Sequence, residues 1–360
     1  MPGDHSLPDV TTRGTRIEIL GHRGARGLRP ENTLPGFAHA LEIGVDAVEL
    51  DVGLTADGVV ICNHNQELSP LNCRDTAPAT PDDPLFPYVG RPLRELTLAQ
   101  IKTVDAGLRH RRDALAETLL PLPGTPLPTF AEACALFAEY GEARLAVELK
   151  TSPDWPDAEV EWFVATVGEI LESAGLRGRF RLLGFDWRVI VAARLMLPEV
   201  ECVALVEEET VEPGTEWLAG LDPADLVAAA LAAGAGVLSA YHGQVTRALV
   251  DDAHRRGLRI TPWTVNDPAA MAAFVDLGVD GIVTDYPDRA RAVLESRGLP
   301  LPAGATPART SASDPASASG PTSASNPTSV SGPAPAGGRG PEFTASRYGG
   351  NPGTAGRSTP

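Results

Sequence analysis

Gly21-His22-Arg23-Gly24, Pro30-Glu31-Asn32-Thr33 and Glu49-Leu50-Asp51 bring an imidazole, a guanidinium and two alternate carboxylates into one short N-terminal stretch. Such groups hold a divalent cation, grip a phosphate and move a proton. Glu49 and Asp51 are two apart, so on a strand both point to one face. Their mutual repulsion is relieved by a hard divalent cation. Glu148, in the apolar run LAVELK, offers a third oxygen ligand, and Lys150 follows two residues later. Carboxylates alone suit Mg²⁺ or Ca²⁺ rather than zinc, which favours His and Cys. His22 and His64 fit a general base and a general acid, and Arg23 fits a phosphate fork.

Taken singly, each has a plainer reading. A strand-end carboxylate is commonly a hydrogen-bonding group, and a His beside an Arg is commonly structural. The other histidines illustrate this: His5 lies in the N-terminal segment, and His39, His110 and His254 fall on helical faces. His242 follows the strand-like GVLSAY and could reach the same mouth.

These residues need a scaffold. β-Branched and apolar runs occur at 17–20, 47–51, 59–62, 145–149, 180–185, 202–206, 236–240, 259–265 and 281–284. Helical stretches lie between them, among them LPGFAHALEIG, TFAEACALFAEYG, WRVIVAARLML, PADLVAAALAAG, GQVTRALVDDAHRRG and PAAMAAFVDLG. Several end in Gly, as helices often do. Alternating strands and helices predict a parallel sheet, and the count suits an α/β (β/α)8 TIM barrel. The surplus run is explained by VGLTADG, too short for a crossover helix and carrying an Asp57-Gly58 turn. It folds 59–64 back antiparallel on 49–54, and a register centred on that turn places His64 close to Glu49. The segment from about 65 to 126, with one helix-like stretch at 97–108, predicts a capping insertion over the site. Residues 1–15 are expected to be a flexible N-terminus and 16–300 the barrel domain. Residues 301–360, rich in Ala, Ser, Thr, Pro and Gly, are expected to be disordered.

Across 360 residues the net charge is -17, which argues against a nucleic-acid partner. A small anionic substrate is not excluded, since a metal and local basic residues invert the field. Cys62, Cys73, Cys134 and Cys202 form no CxxC pair, so free thiols are expected, with a Cys62–Cys73 bridge as the reading for an exported protein. The N-terminus lacks the apolar core of a signal peptide, and no run reaches the roughly 18–20 apolar residues of a membrane span. A cytoplasmic protein without a membrane span is expected, its oligomeric state open.

GHRG with PENTLPGFAHALEIGVDAVELDVGLTADGVVICNH, then VELK, WTVND and GIVTDYP, resembles the glycerophosphodiester phosphodiesterases of the phospholipase C-like superfamily. The resemblance runs from about Ile17 to Arg291 and keeps the family's motif order. It implies a (β/α)8 barrel, one divalent cation, and hydrolysis of a small glycerophosphodiester to glycerol 3-phosphate and an alcohol. By position it implies His22 and His64 as the catalytic pair and Glu49, Asp51 and Glu148 as metal ligands. Arg23 and Lys150 would lie by the phosphate, and Trp263 would form an apolar wall of the substrate pocket. Pro30 and Asn32 would shape the loop into the first helix, with a role for Glu31 left open. Where the family reads His-Asp, this chain reads His64-Asn65. Either that Asp orients the histidine, or it begins the next turn, which Asn does equally well; the second reading is preferred. Two rivals are a lysophospholipase D-like enzyme on a lipid substrate and a non-catalytic phosphate-binding barrel. The first wants an apolar ramp or a basic membrane-facing helix; the second wants a lost catalytic or ligand position. The sequence displays neither.

Overall fold

Strands that are apolar on both faces pair with one another and need helices outside them. Such strands alternate with helices here, in a computed structural model that describes residues 16–108 and 115–306. In chain order the strands are β1 (Glu18–Gly21), β2 (Ala47–Leu54), β3 (Val60–Cys62), β4 (Arg74–Asp75), β5 (Val104–Asp105), β6 (Leu145–Leu149), β7 (Phe180–Gly184), β8 (Glu201–Val206), β9 (Val237–Ala240), β10 (Arg259–Ile260) and β11 (Gly281–Thr284). Parallel pairing runs β10-β9-β8-β7-β6-β2-β1-β11. The two ends meet through Asp280 N to Ile260 O (2.9 Å), Val283 N to Pro262 O (3.0 Å) and Val265 N to Val283 O (2.9 Å). The sheet therefore closes into the expected barrel.

The helices are α1 (Leu34–Ile43), α2 (Leu98–Ile101), α3 (Leu115–Thr118), α4 (Phe130–Glu139), α5 (Asp157–Ser173), α6 (Arg188–Met196), α7 (Leu226–Ala233), α8 (Arg247–Arg255), α9 (Pro268–Leu277) and α10 (Pro287–Ser296). Thr33 caps α1 by accepting from Gly36 N, and Thr129 with Glu132 forms a capping box on α4. Gly234 and Gly278 end α7 and α9 in the left-handed region, where glycine carries no Cβ penalty.

Inside the barrel the alternation sets layers. Leu20, Ala47, Ala146, Leu183, Val203, Val237 and Val283 pack together in the middle of the barrel, with Leu205 as the next inward position of β8 above Val203. Two residues towards the N-terminal end, ion pairs close the floor. Arg181 Nη2 donates to Glu18 Oε2 at 2.9 Å, Arg181 Nε lies 3.5 Å from Glu201, and Arg259 pairs with Glu201. Two residues towards the C-terminal end lie the groups of the mouth, the usual place for a site in this architecture.

Two local expectations are corrected. β3 pairs with β2 as Val52↔Cys62 and Leu54↔Val60 and ends at Cys62, so His64 lies beyond the paired register, where Lys150 and Asp51 rather than Glu49 are the mouth charges that act on it. The turn is a three-residue loop, closed by Thr55 N to Val59 O at 3.0 Å with Gly58 at φ 74°. The stretch 97–108 holds just the four-residue α2, because Val104 and Asp105 leave the helix to pair with Arg74 and Asp75 as β5 and β4. The insertion nonetheless has its own small core, with Leu68, Tyr88, Leu93, Leu96 and Ile101 buried together.

Residues 301–306 lie against α1, with Ala305 N bonded to Leu41 O at 2.9 Å, so the barrel unit runs past the predicted boundary at 300. Residues 1–15, with His5, residues 109–114, with His110, and residues 307–360, the rest of the predicted tail, fall outside the described residues. All four cysteines are free and buried, so no Cys62–Cys73 bridge is present. No described helix is long and apolar enough to cross a membrane.

Candidate active site at the barrel mouth

His22 follows β1 directly and sits two positions beyond inward-facing Leu20. Its Nδ1 is 2.6 Å from Asp285 Oδ1, and the backbone N of His22 donates to Thr284 O at 2.8 Å. Asp285, two beyond inward Val283, also accepts from Asn266 Nδ2 at 2.7 Å and lies 3.7 Å from Arg26. Burial works against its charge, yet His22, Arg26 and Asn266 hold the carboxyl below the usual range. Burial pushes His22 itself below 6.5, and Asp285 opposes that in part.

The chain then turns sharply. Arg23 at φ 50° and Gly24 at φ 94° both take left-handed conformations. This aims Arg23 N at Glu49 Oε2, 2.8 Å away, and lays the guanidinium between Glu31 (Nη1 to Oε1, 3.1 Å) and Asp51 (Nε to Oδ2, 3.3 Å). Glu31 also accepts from Arg26 Nε at 2.6 Å and from Asn72 Nδ2 of the insertion at 3.0 Å. Asn32, at φ 52°, does more than shape the loop. Its Nδ2 donates to Asp51 Oδ2 at 2.8 Å and its Oδ1 accepts from Asp51 N at 3.1 Å, fixing that side chain.

Glu49 and Asp51 face the mouth from β2, and Glu148 faces it from the neighbouring β6, where Asp51 pairs with Glu148 in register. One oxygen from each of the three lies within 4.8 Å of the others, all buried. Burial, then the charges of Asp51 and Glu148, push Glu49 well above its usual range. Burial raises Glu148 to about 7. Asp51 goes the other way despite its burial, because Lys150, His64 and Arg23 hold it low. Lys150 Nζ bridges Asp51 Oδ1 (2.9 Å) and Glu148 Oε1 (2.5 Å).

This nest fits a divalent cation. Its donors are all carboxylate oxygens, burial works against the charge of Glu49 and Glu148 so that a cation would relieve both, and buried Asp51 Oδ1 lacks a well-directed hydrogen bond.

His64 stands beyond β3, half-buried, with Nδ1 2.7 Å from Asn65 Oδ1. Asn65 thus holds the histidine as well as opening the turn, which Asn63 Nδ2 clasps through Asn65 O at 2.7 Å and Glu67 O at 3.1 Å. Burial and then the Lys150 charge push His64 down to about 3. Trp263 lies across the mouth, its Nε1 donating to Ser239 O at 3.1 Å and its ring edge-on to Phe185 with centroids 5.5 Å apart. Lys150 Nζ is 6.0 Å from the same Phe185 ring, so Trp263 and the carboxylate nest share one cleft.

The eight residues singled out from the sequence therefore converge. Asp285, Asn266 and Arg26 were missed. Asp285 could have been found by the alternation that found Glu49, since GIVTDYP puts it two past an inward valine. His242 lies beside this group, its ring 4.4 Å from that of Tyr241.

Comparison with known proteins agrees with this geometry. Residues 22–289 match the model of the glycerophosphoryl diester phosphodiesterase family. A glycerophosphodiester phosphodiesterase of Bacillus altitudinis is 27% identical over 285 residues, covering 77% of this chain and 98% of that protein. A crystal structure from Silicibacter pomeroyi, whose name places it in the same family, superposes with a TM-score of 0.70 at 32% identity, covering 79% of this chain and 97% of that one. A phosphodiesterase of Oleispira antarctica, solved with its product sn-glycerol-3-phosphate, shares the fold at TM-score 0.59 and 20% identity over 78% of this chain and 97% of its own.

Proposed function

This chain belongs to the glycerophosphoryl diester phosphodiesterase family, and from that premise we propose that its barrel mouth hydrolyses glycerophosphodiesters to glycerol 3-phosphate and an alcohol. One observation carries the reading. Two histidines flank a three-carboxylate nest, and each has Nδ1 anchored, which leaves Nε2 as the nitrogen that exchanges a proton.

Glu49, Asp51 and Glu148 would hold the divalent cation, Mg²⁺ or Ca²⁺ by their oxygen donors, and when bound it offsets charge on a phosphate oxygen. Lys150 and Arg23 add positive charge on the phosphate side. His22 takes the proton of the attacking hydroxyl, because Asp285 fixes its tautomer and stabilises the imidazolium that forms. His64, whose partner Asn65 is neutral, gives a proton to the departing alkoxide. An anionic phosphate beside Lys150 counters part of the field that holds His64 unprotonated.

The test is metal-dependent release of glycerol 3-phosphate from glycerophosphocholine by the wild type, His22→Ala and His64→Ala. Each substitution should cut kcat by about 10²–10⁴. On a diester with a p-nitrophenol leaving group, His64→Ala should lose far less, since that group departs without a proton, while His22→Ala loses as much as before. Near wild-type turnover in both variants would refute the pair, and activity that survives EDTA would refute the carboxylate site.

A further inference from the structure

The mouth divides chemically in two. Strand ends on the β11, β1, β2 and β6 side carry His22, Glu49, Asp51, Glu148, Lys150 and Asp285, the groups already assigned. The inward positions at the ends of β7, β8, β9 and β10 carry a different set. Phe185 is two past inward Leu183, and Glu207 is two past inward Leu205. Tyr241 is four past inward Val237, and Trp263 packs on the same interior layer as Phe185. None of these four is basic.

Their geometry is that of a partial cage. Trp263 meets Phe185 edge-on at 5.5 Å and 81°, and Tyr241 edge-on at 5.8 Å and 70°. Tyr241 is 42% exposed, and its ring also lies 4.4 Å from that of His242. Tyr241 N donates to Val206 O at 3.0 Å, which sets Glu207 and Tyr241 at the same level on adjacent strands. Glu207 is half-buried, and burial and the Glu209 charge raise its carboxyl while Lys150 opposes them. A cation entering this half would relieve that carboxylate. Aromatic faces attract cations, and most of all weakly hydrated quaternary ones.

We propose that this aromatic and acidic half of the mouth is the headgroup site, selecting glycerophosphodiesters whose alcohol carries an ammonium group, choline above all, over neutral polyol esters. Glu207 is the ionic partner, and Trp263, Phe185 and Tyr241 are the rings. This rests on the diester hydrolysis proposed above. With the phosphate on the Lys150 side, whose Nζ is 6.0 Å from the Phe185 ring, one half of the diester would extend over the rings, and the acidic Glu207 assigns that half to a cationic alcohol.

The test compares kcat/KM for glycerophosphocholine and glycerophosphoglycerol in the wild type, Glu207→Gln and Trp263→Leu, with choline binding measured calorimetrically on the same proteins. In the wild type choline binds and the choline ester is preferred. Glu207→Gln should lower the choline-to-glycerol ratio by about tenfold, chiefly through KM, as expected for loss of roughly 1.4 kcal/mol. Trp263→Leu should lower it in the same sense, and both variants should weaken choline binding. A ratio unchanged in either variant, or a wild type that binds no choline, overturns the headgroup site. Should the wild type cleave neither diester, the proposed function falls while choline binding still decides this inference.

Discussion

Asn65 is the residue where this chain departs from the family's His-Asp pattern, and it makes the contact that matters. Its amide oxygen accepts from His64 Nδ1 without carrying charge, while burial and Lys150 push the imidazole down to about 3. A carboxylate in the same place would favour the imidazolium. Asn65→Asp should therefore raise the pKa of His64 by about one unit and speed cleavage of unactivated diesters. NMR titration of the His64 ring checks this; an unmoved pKa would show that residue 65 does not set the proton affinity. His22 differs, since its partner is the carboxyl of Asp285, which His22, Arg26 and Asn266 hold below the usual range against its burial. The two histidines looked equivalent in the sequence because each simply ends a strand. Their partners come from the adjacent residue in one case and from the far end of the chain in the other.

The segment between β1 and α1 shows how an element aims these residues. Gly24 holds φ 94°, and a Cβ there would lie 2.8 Å from the Gly36 backbone. Gly24→Ala should destabilise the fold by about 1–3 kcal/mol and cut activity further, because Arg23 N would leave Glu49. Thermal unfolding with and without metal checks it, and an unchanged Tm would mean the turn tolerates a side chain. The strands and most helices were legible from apolar runs, and the period of two gave the ExD pair and Glu148. The turn at Ala56–Gly58 was read one residue short, because Asp-Gly suits both two- and three-residue loops. The helix expected at 97–108 failed because tertiary pairing with Arg74 and Asp75 outweighed local propensity. Asn32 was read as a loop former, since nothing local reveals that its amide grips Asp51 across the β1–β2 crossover.

At the scale of the whole molecule, the carboxylate nest couples metal, proton and fold. Folded Glu148 keeps its proton up to about 7, against an ordinary value of 4.5. The folded state binds more protons in that window, so this group lowers stability as pH rises through it. Without metal, Glu148→Gln should gain stability relative to wild type between pH 5 and 8, by on the order of 2 kcal/mol. Mg²⁺ or Ca²⁺ should stabilise the wild type, by about 2.7 kcal/mol at one hundred times Kd, and the variant much less. Differential scanning calorimetry at both pH values, with EDTA or metal, reads both effects; a difference independent of pH would remove Glu148 from the nest.

The floor of the barrel has a kinetic consequence. Glu18, Arg181, Glu201 and Arg259 stop that end with paired charges, Arg181 being 4% exposed. Substrate and both products then share a single doorway, and traffic through it is sequential. With the headgroup site proposed above, the alcohol would sit nearest the rim over Tyr241 and would be the fragment free to depart first. Glycerol 3-phosphate, on the Lys150 and Arg23 side, would then leave last and is expected to compete with incoming substrate, so accumulated product should throttle turnover from the inside.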